Sequence, residues 1–178
     1  MTTVRRHMNS AAAHYLKPGK TNTWITPREI TALLGPFDTD PCAALGRRWS
    51  HAYINYDEEM DGLRQEWYGR VWLNPPYSHG LIRQFTKRFI AHGNGIALVF
   101  PRVDTRWFQE LGEAADAMLL PPGRIRFCRI DGSSPAGAAL GNVFFAIGQD
   151  NVSALRRLKG LLYGKIRSNY NESKSSSS

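Results

Sequence analysis

Val71-Trp72-Leu73-Asn74-Pro75-Pro76-Tyr77 is the stretch on which the reading of this chain turns. Three bulky apolar residues make a short strand, and the prolines end it, because each fixes φ and lacks the N–H that a sheet ladder needs. A stiff loop follows, carrying one amide and one aromatic ring. In open α/β sheets such loops, beyond the carboxyl ends of the strands, are where ligands bind.

The flanking segments supply the rest of such a sheet. Upstream, Thr26 as N-cap and Pro27 in the first turn open a helix over Arg28 to Leu34, stopped by Gly35-Pro36. Phe37 to Thr39 reads as a strand entering Asp40-Pro41, and Ala52 to Ile54 as another. Downstream, Leu81, Ile82, Phe85, Phe89 and Ile90 have helical spacing, and Ile96 to Phe100 is a buried strand stopped by Pro101. Trp107 to Ala117 is helical, while Ala117 to Leu120, Arg124 to Ile130 and Val143 to Ile147 read as strands. Val152 to Tyr163 is a basic amphipathic helix. Short apolar runs alternating with helices predict an α/β fold with a mostly parallel sheet and helices on both faces.

Composition sets the limits. The chain has 178 residues, 23 Lys+Arg against 15 Asp+Glu, and a net charge of +8. That length is one domain, and 42% apolar residues suffice for a core. We expect a flexible basic arm over 1–20, a single domain over 21–165 and a disordered Ser-rich tail over 166–178. No apolar run is long enough for a membrane span, and Arg5-Arg6 has no apolar segment behind it to make a secretory signal. Two cysteines, Cys42 and Cys128, are too few for a disulfide framework or a zinc ribbon, which points to a reducing cytoplasm. His51, His79 and His92 lack metal-site spacing, so no metal is assigned. The positive balance favours a polyanionic partner.

The loop Asn74 to Tyr77 suits one chemistry. An amino group on an aromatic ring is a poor nucleophile, since its lone pair is delocalised into the ring. Two acceptors aimed at its hydrogens draw the nitrogen toward tetrahedral geometry and turn the lone pair on an electrophile. The Asn74 side-chain oxygen and the Pro75 carbonyl are such a pair, stiffened by Pro75 and Pro76, and Tyr77 offers a flat face for a base taken from the stack. The alternative is a rigid surface turn with no ligand.

Further marks stand around the loop: Trp24-Ile25-Thr26-Pro27, Asp38-Thr39-Asp40-Pro41-Cys42, Asp61-Gly62-Leu63 and Trp67 before it, then Pro101 to Phe108 and Gly123-Arg124-Ile125-Arg126-Phe127 after it. In this order the set resembles the phage-type DNA N-6-adenine methyltransferases, S-adenosylmethionine-dependent enzymes of Rossmann-like fold, over roughly Thr23 to Gly148. The resemblance implies S-adenosyl-L-methionine as cofactor and Asn74, Pro75, Pro76 and Tyr77 as catalytic residues. It places Trp24, Thr26 and Pro27 at the methionine end, and Asp40, with Pro41 and Cys42, at the cofactor amino group. Asp61 would accept from the cofactor adenine, and Asp57, chosen over Asn55 and Glu58, would hold the ribose. Where larger relatives have a Gly-x-Gly turn, this chain has Ala43-Ala44-Leu45-Gly46, so small side chains must leave the room.

Plainer roles compete with several of these. Thr26 suits an N-cap, Asp61 before Gly62 a turn, and Cys42 a small buried hydrophobe. On the DNA side, a duplex base must be flipped out to reach a bound methyl donor. The contact loops would be Ser78 to Arg83, Arg102 to Trp107 and Asp131 to Asn142, with Arg102 and Arg106 on phosphates or guanine edges. Phe127 either completes a sandwich with Tyr77 or faces the core, and Arg156, Arg157, Lys159 and Lys165 either bind phosphate or form a solvated face. The expected function is adenine-N6 methylation of double-stranded DNA in the cytoplasm of a bacterial host, by a phage or prophage protein without an obligate protein partner. Cytosine-N4, RNA or glutamine-amide acceptors, and an inactive DNA-binding relative, remain the alternatives.

Overall fold

The structure is a computed structural model that describes residues 24–130, 141–162 and 165–168. Chain order gives α1 (Arg28–Leu34), β1 (Phe37–Asp40), β2 (Ala52–Asn55), β3 (Val71–Leu73), α2 (Leu81–His92), β4 (Gly95–Val99), α3 (Arg106–Ala114), β5 (Ala117–Leu120), β6 (Val143–Ile147), α4 (Gln149–Leu162) and β7 (Lys165–Ser168). A 3₁₀ turn at Ser78–Gly80 precedes α2.

The strands form one sheet in the order β2-β1-β3-β4-β6-β5-β7. The β2/β1, β1/β3 and β3/β4 pairs are parallel, whereas β4/β6, β6/β5 and β5/β7 are antiparallel. The sheet is therefore mixed, and the expectation of a mostly parallel one is corrected. The apolar run of β6 is the reason. All five of its residues are buried, which reports cover on both faces and says nothing about strand direction.

Side-chain alternation splits the core into two layers, one on each sheet face. On one, Trp72, Ile96, Leu98 and Phe144 pack with Leu34 of α1 and with Val152, Leu155 and Leu158 of α4. On the other, Leu73, Ala97, Val99 and Phe145 pack with Phe85 and Phe89 of α2 and with Trp107, Phe108 and Leu111 of α3. Helices on both faces are thus present.

Three local expectations change. Thr26 does not cap α1: Pro27 occupies the cap position, and no side chain bonds there. Arg124 to Ile130 has the alternation of a strand, with Ile125 and Phe127 buried, but among the described residues its ladder pairing is a single bridge, Cys128 with Ile25. The last strand, β7, runs three residues into the segment read as tail. Residues 1–20, 131–140 and 169–178, which include the arm and most of one proposed DNA loop and of the tail, lie outside the described residues.

The two edges of the sheet differ. At the amino ends of the parallel strands, Arg70 donates to Asn151 Oδ1 (2.9 Å) and to the carbonyls of Pro36 (2.6 Å) and Leu34 (2.9 Å). Asn151 in turn donates to Asn94 Oδ1 (2.8 Å), and Asp116 accepts from Gly148 N (2.6 Å). That edge is closed by hydrogen bonds. Among the described residues, three buried side-chain oxygens lack a partner: Thr26 Oγ1, Asn55 Oδ1 and Asn142 Oδ1. Asn55 ends β2 opposite Asp40, and Asn142 precedes Val143, the partner of Val99 at the end of β4. Thr26 shares a cleft with Asp40 and Asn74. All three stand at the carboxyl edge, and an unpaired buried polar atom costs about 1–3 kcal/mol.

Candidate active site

A cleft at that edge opens between the ends of β1 and β3. Thr26, Asp40, Cys42 and Asn74 line it, as do Ala44, Arg47, Trp49 and His51. The first four are residues the sequence singled out.

Asp40 is the last residue of β1 and is 2% exposed. Its Oδ1 accepts from the Cys42 amide at 3.0 Å. Burial pushes its carboxyl up to about 7, against the opposing pull of the Cys42 amide and of Arg47. A carboxyl so placed ionises readily once a cation sits beside it. Burial, and then the Asp40 charge, push the Cys42 thiol up, so it is a small packed side chain and not a nucleophile.

Asn74 leaves the strand with its amide free of any hydrogen bond among the described residues, while Pro75 is buried and Pro76 exposed. Tyr77 closes the loop: its hydroxyl accepts from Phe100 N at 2.7 Å, and its ring lies 4.8 Å from the Phe100 ring and 6.3 Å from that of Trp107. Burial drives the Tyr77 hydroxyl upward, so it stays protonated. The residue as a whole is 37% exposed, so part of Tyr77 stays open to solvent in the loop that begins at Asn74.

Other predicted residues stand around the cleft without lining it. Trp24 packs on the core layer beneath α1, and Pro27 heads that helix. Pro41 is buried, and its carbonyl would lie 2.0 Å from a Cβ on Gly62, which explains why Asp61-Gly62 needs its glycine. Asp61 has φ +52° and an exposed carboxylate engaged by the Leu63 amide (3.2 Å) and Arg64 (3.2 Å), the geometry of a turn. Asp57 accepts from the amides of Glu59 (3.2 Å) and Met60 (3.4 Å), and its Oδ2 lies 3.8 Å from Arg47. It therefore reaches the cleft through Arg47. Phe127 is 8% exposed within the core layer of Trp72, so the aromatic partner of Tyr77 is Phe100. Arg102 pairs with Asp104 (3.7 Å), and Arg106 with Glu110 (2.6 Å).

Four residues of the site were not foreseen in these roles: Arg47, Trp49, His51 and Phe100. Trp49 donates to the Thr26 carbonyl at 3.2 Å, and His51 Nδ1 lies 3.0 Å from Thr31 Oγ1. Desolvation, then Arg47, lowers His51 to about 4, so it is neutral. Arg47, Trp49 and His51 sit on the loop between β1 and β2, which has no periodic pattern to expose it, and Phe100 directly follows β4. Asn55, with its orphaned oxygen, was one of three candidates for the ribose.

The family model described as DNA N-6-adenine-methyltransferase (Dam) matches residues 14–146. The chain belongs to this family. A DNA N-6-adenine-methyltransferase of Escherichia phage T1 is 36% identical over 103 residues, which is 52% of this chain and 41% of the phage protein. No solved structure gives a significant match. The family match ends within β6 and spans the whole cleft, so the methyltransferase family and the polar carboxyl edge coincide. Among the described residues, no helix is long and apolar enough to cross a membrane, and no three His, Cys, Asp or Glu side chains group to hold a metal.

Proposed function

We propose that this chain moves a methyl group from S-adenosyl-L-methionine to the N6 amino group of an adenine turned out of double-stranded DNA. One observation carries the reading: Asp40 and Asn74 meet in one cleft, with the Asn74 amide unbonded and backed by two prolines. Strand order supports it. The chain goes from β1 to β2 on one side and places β3 and β4 on the other, so the crevice between β1 and β3 is a topological switch point. We read the fold on that ground as Rossmann-like, with an antiparallel β6 inserted in its second half.

The residues present fit the cofactor. Asp40 offers a buried carboxyl to the α-ammonium group, and Thr26 Oγ1 is a free polar atom in the same cleft. Asn55 Oδ1, unpaired among the described residues, stands at the end of β2, available to the ribose hydroxyls, and Asp57 and Asp61 in the following loop are the candidates for the adenosine half. Cys42 lines the wall, and Trp24, Pro27 and Pro41 stand around it. When bound, the cofactor supplies an electrophilic methyl on a sulfonium. The chain then acts by orientation. Asn74 Oδ1 and the Pro75 carbonyl accept the two N6 hydrogens and aim the lone pair, while Tyr77 supports the flat base on its open surface. The kinship with a phage protein supports reading this as a phage or prophage function that acts in a bacterial cytoplasm.

The test is direct. The full chain is incubated with methyl-labelled cofactor and unmodified duplex DNA, which is then hydrolysed to nucleosides. Label in N6-methyladenine supports the proposal. Label in N4-methylcytosine would move the acceptor, and no transfer despite cofactor and DNA binding would make this an inactive relative.

A further inference from the structure

Arginine is not spread evenly over the surface near the cleft. The two expected to meet DNA, Arg102 and Arg106, are each tied to an acid of their own segment, Asp104 and Glu110. On α4, Arg157 acts on Arg70, which belongs to the opposite, amino edge of the sheet. A third group is different. Arg124, Arg126 and Arg129 are all exposed, and among the described residues none of them joins an ion pair.

Topology explains where they stand. β5 runs in the same direction as β4, because β6 is antiparallel to both, so Leu120 ends at the carboxyl edge. From there the chain crosses back to Ile25, which bonds Cys128 in both directions at 2.9 Å and lines the cleft with Asn74. Eight residues from Leu120 to Cys128 reach about 26 Å when extended, and the four strand spacings from β5 to β1 need only about 19 Å. The segment is thus a strap along the rim of the crevice. Ile125 (6% exposed) and Phe127 (8% exposed) anchor it in the core, which turns the intervening Arg124 and Arg126 outward about 7 Å apart. That spacing is close to the separation of successive phosphates along a nucleic-acid strand.

We propose that this strap, through Arg124, Arg126 and Arg129, is the track on which a DNA phosphate backbone lies while a base enters the cleft. Charge identifies the partner: unpaired guanidinium groups in a row, on a chain of net +8, fit a polyanion presenting evenly spaced phosphates. Arg102 and Arg106 then take a lesser part, since each cation has a carboxylate beside it. The inference rests on the proposed reading of the cleft only for its choice of DNA as the polyanion.

The experiment measures duplex DNA binding by the full chain against salt concentration. Each phosphate contact contributes about 0.9 to the slope of log K against log [salt]. The double variant Arg124→Gln/Arg126→Gln should lower that slope by about 1.8 and weaken binding at least tenfold at low salt. Cofactor binding and thermal melting should not change. A slope equal to that of the unaltered chain would overturn the strap, and so would a drop confined to Arg102→Gln/Arg106→Gln. The outcomes separate the two proposals. N6-methyladenine formed with an unaltered slope would leave the methyltransferase reading standing and the strap lost. A reduced slope with no methylated base on any DNA would do the reverse.

Discussion

The Tyr77 hydroxyl and the Phe100 amide nitrogen lie 2.7 Å apart, and this bond ties the loop after β3 to the residue that follows β4. The tyrosine has two parts to weigh: its oxygen fixes the loop, and its partly exposed ring follows Asn74 by three residues. Two substitutions separate them. Tyr77→Phe keeps the ring and orphans the Phe100 N–H, which should lower stability by about 1 kcal/mol and turnover by less than tenfold. Tyr77→Ala removes the surface proposed to support a base and should reduce kcat/KM for DNA by about a hundredfold, from the roughly 1–3 kcal/mol of a base–aromatic stack. Steady-state kinetics on duplex DNA and thermal melting of both variants check this.

Among the described residues Asn74 has no hydrogen-bond partner to lose. Asn74→Ala should therefore melt at the same temperature and bind the cofactor with nearly the same affinity, while turnover falls by about 10²–10³. A calorimetric titration with S-adenosylmethionine beside a turnover assay tests the pair. A large loss of cofactor affinity would mean that the amide holds the donor and not the acceptor.

Asp40 makes the site depend on pH. Its folded pKa, about 7, is above the ordinary carboxylate range, so between about pH 4 and 7 the empty folded protein holds a proton that the unfolded chain has released. Stability from this group is present at low pH and is lost as pH rises through 7. The ligand-free melting temperature should fall across that window, and Asp40→Asn should flatten the fall. Affinity for a ligand carrying an ammonium group runs the other way, rising up to tenfold per unit below pH 7 and levelling above. The structural analogue S-adenosylhomocysteine, titrated at several pH values, provides the measurement.

The residues differ in how far their patterns reveal them. Asn74 to Tyr77 was legible because a proline pair after an apolar strand has few structural uses, and Asp40 because it ends a strand. The helices α1 and α2 and the strands β1, β3 and β6 announce themselves by spacing and by length of apolar run. Strand direction does not: β6 is buried on both faces whichever way it runs, so its antiparallel insertion between β4 and β5 was hidden. The Arg124 segment has true alternation but lies on the rim, where Ile25 is its one ladder partner among the described residues. Arg47, Trp49 and His51 come from an aperiodic loop, and only the parallel pairing of β1 with β2 brings them to the cleft.

Thr26 distinguishes a binding role from a merely structural one. The sequence suits it to cap α1, yet its hydroxyl is buried, bonds nothing, and lines the cleft. A capping threonine changed to valine would cost the protein about 1 kcal/mol. An unsatisfied buried hydroxyl replaced by a methyl of the same shape instead relieves a desolvation penalty. Thr26→Val should therefore leave the ligand-free melting temperature unchanged or raise it, while weakening S-adenosylmethionine about tenfold through the loss of one hydrogen bond. A protein that is both more stable when empty and poorer at binding places the hydroxyl in the ligand site. A drop in melting temperature with unaltered affinity would return Thr26 to the helix.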